Sequence, residues 1–434
     1  MKNKVQTALP DGWQMVSLGE VCEIIMGQSP SGKSVIAANA PNPSLRGVEN
    51  AEAIHKADKI RFEPSGSRND ENSGIEFHQG KIYFTDKFLA KSDFITTQPL
   101  KIAQPNSILL CVRAPVGVVN FTQRKIAIGR GLCAIKAHKA NNEFVYFSLL
   151  GLKDYFESKS AGSTFSAINS NEIKNARIPL PPMDEQNKIA RILSTWDKAI
   201  NTLDKLIATK VRFKKGLMQG LLTPHAPLRF AEFKDEWQEV RLGEVCKIQC
   251  GYAFESKKFT DSGMPIVRIS NLSNDTIYMD MKDLVFYDTI SKDENFIIQE
   301  NDLLVALSGA TAGKVSIYNL PYKSYLNQRV GVFRLIKKEI LDYKFLTQWV
   351  LSNKFKDKIK TMLSIGAQPN ISPKDIENFK FKIPPTLQEQ NKIAQVLTTC
   401  DKELGLLRAK LNGFKKQKKA LMQRLLSGEI RVNL

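Results

Sequence analysis

Apolar residues recur with two different periods along this chain. In one stretch they follow a strict 4,3 spacing: Ile189, Leu193, Trp196, Ile200, Leu203, Ile207, Lys210, Lys214, Leu217 and Leu221. The same seam returns 204 positions later as Ile393, Leu397, Cys400, Leu404, Leu407, Leu411, Phe414, Lys418, Leu421 and Leu425. Sustained over about five heptads, this spacing predicts two coiled-coil helices, each a rod of roughly 60 Å. Pro181-Pro182 and Pro384-Pro385 stop whatever precedes them and are tolerated where a helix opens. Neither helix can bury its seam alone. The simplest partner is the other copy, paired antiparallel within one chain, with one module at each end of a helical bar and a pseudo-two-fold relation between halves.

Outside the helices the apolar runs are short and bounded by Gly, Pro and Asn, the mark of strands and loops. Strands are predicted at 21–26, 81–85, 107–112, 117–121 and 131–135, and again at 266–269, 302–307, 314–318 and 331–335. One amphipathic helix is predicted in each module, over 143–158 and 343–362. The fold class is α/β (α+β), in four parts: residues 1–180, 181–224, 225–383 and 384–434.

The two modules are copies. Asp11 to Cys22 returns as Asp235 to Cys246 with nine of twelve positions identical, and Glu185-Gln186-Asn187-Lys188-Ile189-Ala190 returns as Glu389 to Ala394. A repeat this long is read before any local motif. The second module is about 20 residues shorter, and the extra length of the first is expected in the polar stretch 39–78. Two copies of one binding module suit a target with two half-sites.

Charge sharpens this picture. The net charge is +19 over 434 residues, which favours a polyanionic partner over a merely solvated surface. The helices hold about half of it. Residues 183–222 carry eight Lys/Arg against four Asp/Glu, and residues 386–426 carry nine against three. A solvated face, DNA contact and docking to acidic partner helices all remain open for them. No apolar run approaches the roughly 18 residues of a membrane span, and no signal region follows the N-terminal lysines. The six scattered cysteines suggest a reducing cytoplasm, with Cys22 and Cys246 as buried thiols and no zinc site.

Gly27-Gln28-Ser29-Pro30-Ser31-Gly32-Lys33-Ser34 matches the phosphate-loop pattern. A phosphate loop must open a helix. Here Pro41 and Pro43 limit any helix from Ser34 to about two turns, and the second copy, Gly251 to Lys257, loses Gly-Lys-Ser. A glycine-opened polar loop suits DNA contact better, and no methyl-transfer or nucleophile motif is present. Catalysis is therefore not expected. A hairpin does recur: residues 109–118 answer to 303–315, each with a small-residue turn, and each is followed by an arginine beside glycine. Arg130 and Arg329 are read as equivalent. Such an arginine either satisfies loop carbonyls or reaches a guanine edge or a phosphate.

These features together resemble the specificity subunits of type I restriction–modification enzymes. The resembling residues are Trp13 with Leu18-Gly19-Glu20, Gly27-Gln28-Ser29-Pro30, Val112 to Gly117, Gly129-Arg130-Gly131, and the helix openings at Pro181 to Gln186 and Pro384 to Gln390. The second opening has one residue more before its Glu-Gln. The resemblance implies two target recognition domains, each reading one half of a split, asymmetric double-stranded DNA site. It implies conserved helices that set their spacing and dock two methyltransferase subunits, with restriction motor–nuclease subunits added in the full complex. S-adenosylmethionine, ATP and Mg are expected on those partners, and no cofactor on this chain. The candidate DNA contacts are Gln28, Ser29, Lys33, Arg46, Arg113 and Arg130 in the first module. In the second they are Tyr252, Lys257, Arg268, Lys314, Gln328 and Arg329.

Overall fold

The computed structural model describes residues 9–30, 34–38, 74–160, 167–224, 228–272, 276–280, 282–288, 294–364 and 370–433. The chain divides into two compact units, but not at the boundaries between modules and helices. Residues 1–202 with 411–434 form one unit, and residues 203–410 form the other. Each unit therefore owns half of each long helix.

In the first unit, Gln14–Ser17 pairs antiparallel with Arg177–Leu180, so the module closes where it began. An antiparallel sheet follows in the order Cys22–Met26, Leu132–Ala137, Ile108–Cys111, Val119–Phe121. A second sheet runs Val35–Ala37, Phe94–Thr96, Ile75–His78, Ile126–Ile128, Ile102–Ala103, with one parallel pair between Ile75–His78 and Ile126–Ile128. The second unit repeats the plan among its described residues. Gln238–Arg241 pairs with Lys380–Ile383, and the antiparallel sheet is Cys246–Cys250, Val330–Leu335, Leu303–Ala306, Val315–Ile317. Its second sheet is Val285–Tyr287, Met264–Val267, Ser324–Leu326, Ile297–Ile298, again with one parallel pair. The inner strands Ile108–Cys111 and Leu303–Ala306 are buried throughout, as continuous apolar runs demand. Burial pushes the Cys22 and Cys246 thiols up to about 12.

Several sequence expectations shift by small amounts. The strand predicted over 81–85 is a tight turn, Lys81–Tyr83, in which the Phe84 amide bonds back to the Lys81 carbonyl and satisfies the backbone locally. The helix predicted over 143–158 is two, Asn142–Gly151 and Lys153–Ser160. Its counterpart also breaks, into Tyr343–Leu351 and Asn353–Leu363. The interruption is at Ser352, whose backbone is extended and whose hydroxyl bonds the Trp349 carbonyl. The residues after the phosphate-loop pattern form the strand Val35–Ala37, paired with Phe94–Thr96, and not a short helix. Most of the polar stretch 39–78, expected to hold the extra length of the first module, lies outside the described residues.

The long helices are Met183–Leu221 and Leu387–Leu426. In the second unit they run antiparallel, because partner numbers fall from Glu403 to Asp401 as helix numbers rise from Lys210 to Lys214. In the first unit Trp196 meets Phe414 edge-on at 5.4 Å, and Asp197 pairs with Lys418. In the second unit Lys214 pairs with Asp401 at 2.5 Å and Lys210 with Glu403 at 2.7 Å. Lys214–Asp401 and Asp197–Lys418 are the same contact, shifted by 204 at both ends. Each places a seam lysine against a carboxylate in a largely apolar interface. The joints differ at one position. In the first unit Lys418 lies over the Phe147 ring at 5.3 Å. In the second, Gln348 stands in that place and its Nε2 donates to Asp401 at 2.9 Å.

The module is tied to its helix by the repeated Glu-Gln. Glu185 accepts the Trp13 indole N–H at 3.1 Å and two bonds from Arg431 at 2.8 Å. Glu389 accepts the Trp237 indole at 3.1 Å and two bonds from Arg229 at 2.8 and 3.0 Å. Gln186 accepts the Asn141 amide and donates to the Pro181 carbonyl, while Gln390 accepts the Asp342 amide and donates to the Pro384 carbonyl. The additional residue at the second helix opening is absorbed by Thr386. Its hydroxyl accepts the Glu389 amide, and its carbonyl accepts the Gln390 amide just as Pro182 does for Gln186.

Arg431 and Arg229 close a further equivalence. Arg431 also donates to the Asp11 carbonyl and Arg229 to the Asp235 carbonyl. Arg431 in the tail thus plays in the first unit the part that Arg229 plays in the second.

Removing one partner of the buried Lys214–Asp401 pair strands the other. Asp401→Asn is expected to destabilise the second unit by about 3–5 kcal/mol, and Lys214→Met with Asp401→Leu to recover most of that loss. Denaturant unfolding of the full chain measures both. A double variant as unstable as the single one would show that the pair itself carries the joint.

Candidate nucleic-acid interface

Each unit exposes one composite loop, built from the turn after the first sheet strand and the turn before Leu132 or Val330. In the first unit Gly27 N–H donates to the Leu132 carbonyl at 2.8 Å and Gln28 N–H to the Ile128 carbonyl at 3.0 Å. This close approach explains the glycine: a Cβ on Gly27 would lie 2.1 Å from the Gly129 carbonyl oxygen. The facing turn, Gly129-Arg130-Gly131, is held by Gly129 N–H on the His78 carbonyl at 2.8 Å and by Val112 N–H on the Gly131 carbonyl at 3.0 Å. Ser29 Oγ accepts the Arg130 amide at 3.3 Å. Gln28, Ser29 and Arg130 are therefore brought together, with Arg113 one residue beyond Val112. Gln28, Arg113 and Arg130 are exposed. Lys33 and Arg46 lie outside the described residues.

The second unit builds the same loop. Gly251 N–H donates to the Val330 carbonyl, Tyr252 N–H to Leu326 at 2.8 Å, and Gln328 N–H to the Tyr252 carbonyl at 2.9 Å. A Cβ on Gly251 would sit 1.8 Å from the Leu326 oxygen. Asn327 N–H donates to the Val267 carbonyl and Leu307 N–H to the Arg329 carbonyl. Tyr252, Gln328 and Arg329 converge here and are exposed. Tyr252 rests on Phe254 and Phe296, each with its ring centroid 5.2 Å away. The side chains of Gln28, Arg113, Arg130, Gln328 and Arg329 make no hydrogen bond or ion pair to another described residue.

Both stretches that form these loops belong to one family. Residues 10–211 and 234–415 each match the type I restriction modification DNA specificity domain. The chain belongs to that family. It is 28% identical over 404 residues to the type I restriction enzyme MjaVIII specificity subunit of Methanocaldococcus jannaschii, covering 89% of this chain and 95% of that one. It is 31% identical over 182 residues to the EcoAI specificity subunit of Escherichia coli, which is 39% of this chain and 30% of the relative. Its fold is like that of the S subunit of a type I restriction-modification system from M. genitalium, with a TM-score of 0.62 at 14% identity and 98% of both chains covered. Among the described residues no helix is long and apolar enough to cross a membrane.

The geometry of this specificity-family chain corrects one correspondence. The turns carry the same bonds when residue 130 is set against 328, so Arg130 answers to Gln328, and Gly131 answers to Arg329. Arg130 and Arg329 are not equivalent. The letters Arg-Gly and Arg-Val-Gly suggest otherwise, but strand pairing sets the register. Arg113 answers to Ser308: each forms an isolated bridge, to Ala167 and to Asn370.

Three further candidates lie on segments flanking the second composite loop, Arg268 directly after Val267, whose carbonyl holds Asn327. Arg268 is half-buried and committed to its own module: Nη2 donates to the Asp283 carbonyl at 2.7 Å, and the guanidinium lies over Phe259 at 5.9 Å. Lys314 follows Gly313 in the hairpin turn, where Gly313 has φ +80, and is half-buried. Lys257 is exposed on the short turn Ser256–Lys258.

Sequence reasoning missed the brace beneath the first loop. Glu76, on the strand that supports Gly129 through His78, accepts Arg124 Nε at 2.8 Å and Nη2 at 2.9 Å, the Ser92 amide at 2.7 Å, and His78 Nε2 at 2.9 Å. Burial pushes its carboxyl up, but these donors outweigh that and hold it at about 2. An isolated Glu-X-His in a polar stretch gave no signal of this.

A carboxyl that titrates at about 2 when folded and near 4.5 when unfolded stabilises the folded state fully above about pH 4.5. That stability is lost as pH falls toward 2. Allowing for the solvent around Arg124, the contribution at neutral pH is about 2 kcal/mol. Glu76→Gln is expected to lower the melting temperature at pH 7 and to narrow its gap from wild type near pH 3. A gap that is constant across this range would refute the charge-based brace.

Proposed function

We propose that this chain is the sequence-recognition subunit of a type I restriction–modification complex, with each module reading one half of a split, asymmetric double-stranded DNA site. The observation that carries this reading is the duplicated composite loop. Each copy presents exposed side chains rich in hydrogen-bond donors, free of hydrogen bonds and ion pairs to other described residues, on a rigid sheet framework. Donors of this type suit base edges in the major groove and phosphates. The net charge of +19 supplies the sequence-independent attraction that holds such a protein on DNA.

In this reading the chain carries no chemistry of its own. Methyl transfer belongs to two partner methyltransferase subunits that bind S-adenosylmethionine, and cleavage to motor–nuclease subunits that use ATP and Mg, all in the cytoplasm. The long helices are where the methyltransferases dock. In the second unit Leu206 and Phe213 on one helix and Leu406 on the other are exposed amid charged neighbours, with Leu406 73% exposed. Apolar side chains on an otherwise charged helix surface suit a protein partner.

Exchange of residues 11–178 for the module of another specificity subunit tests this division of labour. With the methyltransferase subunits present, one half of the methylated sequence is expected to change while the other stays as it was. A change in both halves would refute independent reading.

A further inference from the structure

The register of the two composite loops carries a consequence for specificity. The turns share their backbone anchors on either side of the tip. Gly129 and Asn327 donate their amides to the His78 and Val267 carbonyls, and Gly131 and Arg329 accept the Val112 and Leu307 amides. Leu132 and Val330 donate back to the Gly129 and Asn327 carbonyls. Between these fixed points stands one tip residue in each unit, Arg130 or Gln328. It is exposed, its backbone is braced from the opposite loop, and its side chain has no bond to another described residue.

Only the tip bears a side chain in both copies of the turn's outer half. The following position is Gly131 in the first unit, where a Cβ would lie 2.2 Å from the Gln79 oxygen. In the second unit it is Arg329. Positive charge is thus carried by the tip in one module and by its neighbour in the other. A phosphate contact needs that charge but does not need it at the tip. Gln328 is neutral and adds little to phosphate binding, so its amide is left for a base.

We infer that position 130/328 is the purine-reading position of each module, with Arg130 selecting guanine and Gln328 selecting adenine. The inference rests on the function proposed above. A guanidinium donates two parallel bonds to guanine O6 and N7. A glutamine amide accepts from adenine N6 and donates to N7. Each residue fits its own purine and misplaces a donor or acceptor against the other. One structural position would therefore give the two half-sites different bases without any change of backbone, and the site its asymmetry.

Arg130→Gln and Gln328→Arg test this in the full chain assembled with its methyltransferase subunits, acting on a duplex library randomised in both half-sites. Arg130→Gln is expected to convert one guanine in one half-site to adenine, by roughly 5- to 150-fold in relative methylation, with the other half unchanged. Gln328→Arg is expected to make the reciprocal change in the other half. Unchanged sequence with uniformly lower methylation would mark a phosphate contact and overturn the inference. So would unchanged methylation, or loss of methylation on every duplex by both variants. The wild-type complex separates the two levels of failure. If it methylates no split sequence, the proposed function is wrong; if it does and the variants leave that sequence intact, only the assignment of the tip is wrong.

Discussion

A carboxylate buried at the first turn of each long helix organises the rest. Glu185 and Glu389 are each 1% exposed, and a charge so placed is costly unless it is paired and hydrogen-bonded. It sits on one helix, and its partners come from two other places: the tryptophan that opens the module and an arginine beyond the end of the other helix. Satisfying this one group therefore needs a module and both helices together. It explains why the compact units divide in mid-helix, and why the tail that carries Arg431 belongs with the first module. The adjacent Gln186 and Gln390 extend the tie to the caps of the module helices at Asn141 and Asp342.

That framework separates what must be constant from what can vary. The order of the main antiparallel sheet, the Glu-Gln junction and the spacing of the seam are kept in both copies. The composite loops keep their backbone bonds and the glycines at 27 and 251 while exchanging the side chains they display: Gln28 for Tyr252 and Arg130 for Gln328. A binding surface can change in this way because its conformation is set by main-chain bonds and by close approaches that only glycine allows, not by the residues that face the partner.

Much of the architecture was legible in the sequence because repeats and heptads are periodic. The seam gave both long helices and their antiparallel pairing, and the repeated Trp and Glu-Gln marked the residues that join each module to its helix. What escaped was set by tertiary context. Matching Arg130 to Arg329 by letter missed a one-residue register that only strand pairing defines. Arg268 looked available from sequence, yet it is half-buried, one guanidinium nitrogen donates to the Asp283 carbonyl, and the group lies over Phe259. Glu76 was invisible because its donors lie 2, 16 and 48 residues away. The break at Ser352 depends on a side chain choosing a local carbonyl over helix continuity.

The proposed recognition role is tested most directly by the sequence that methyltransferase subunits assembled with this chain would modify. DNA methylated by a complex of the wild-type chain with such subunits, sequenced for modified bases, should reveal two short defined clusters, different from one another and separated by a stretch of unspecified bases. A single contiguous cluster, or two identical inverted halves, would contradict two independent modules that display different side chains from the same loop.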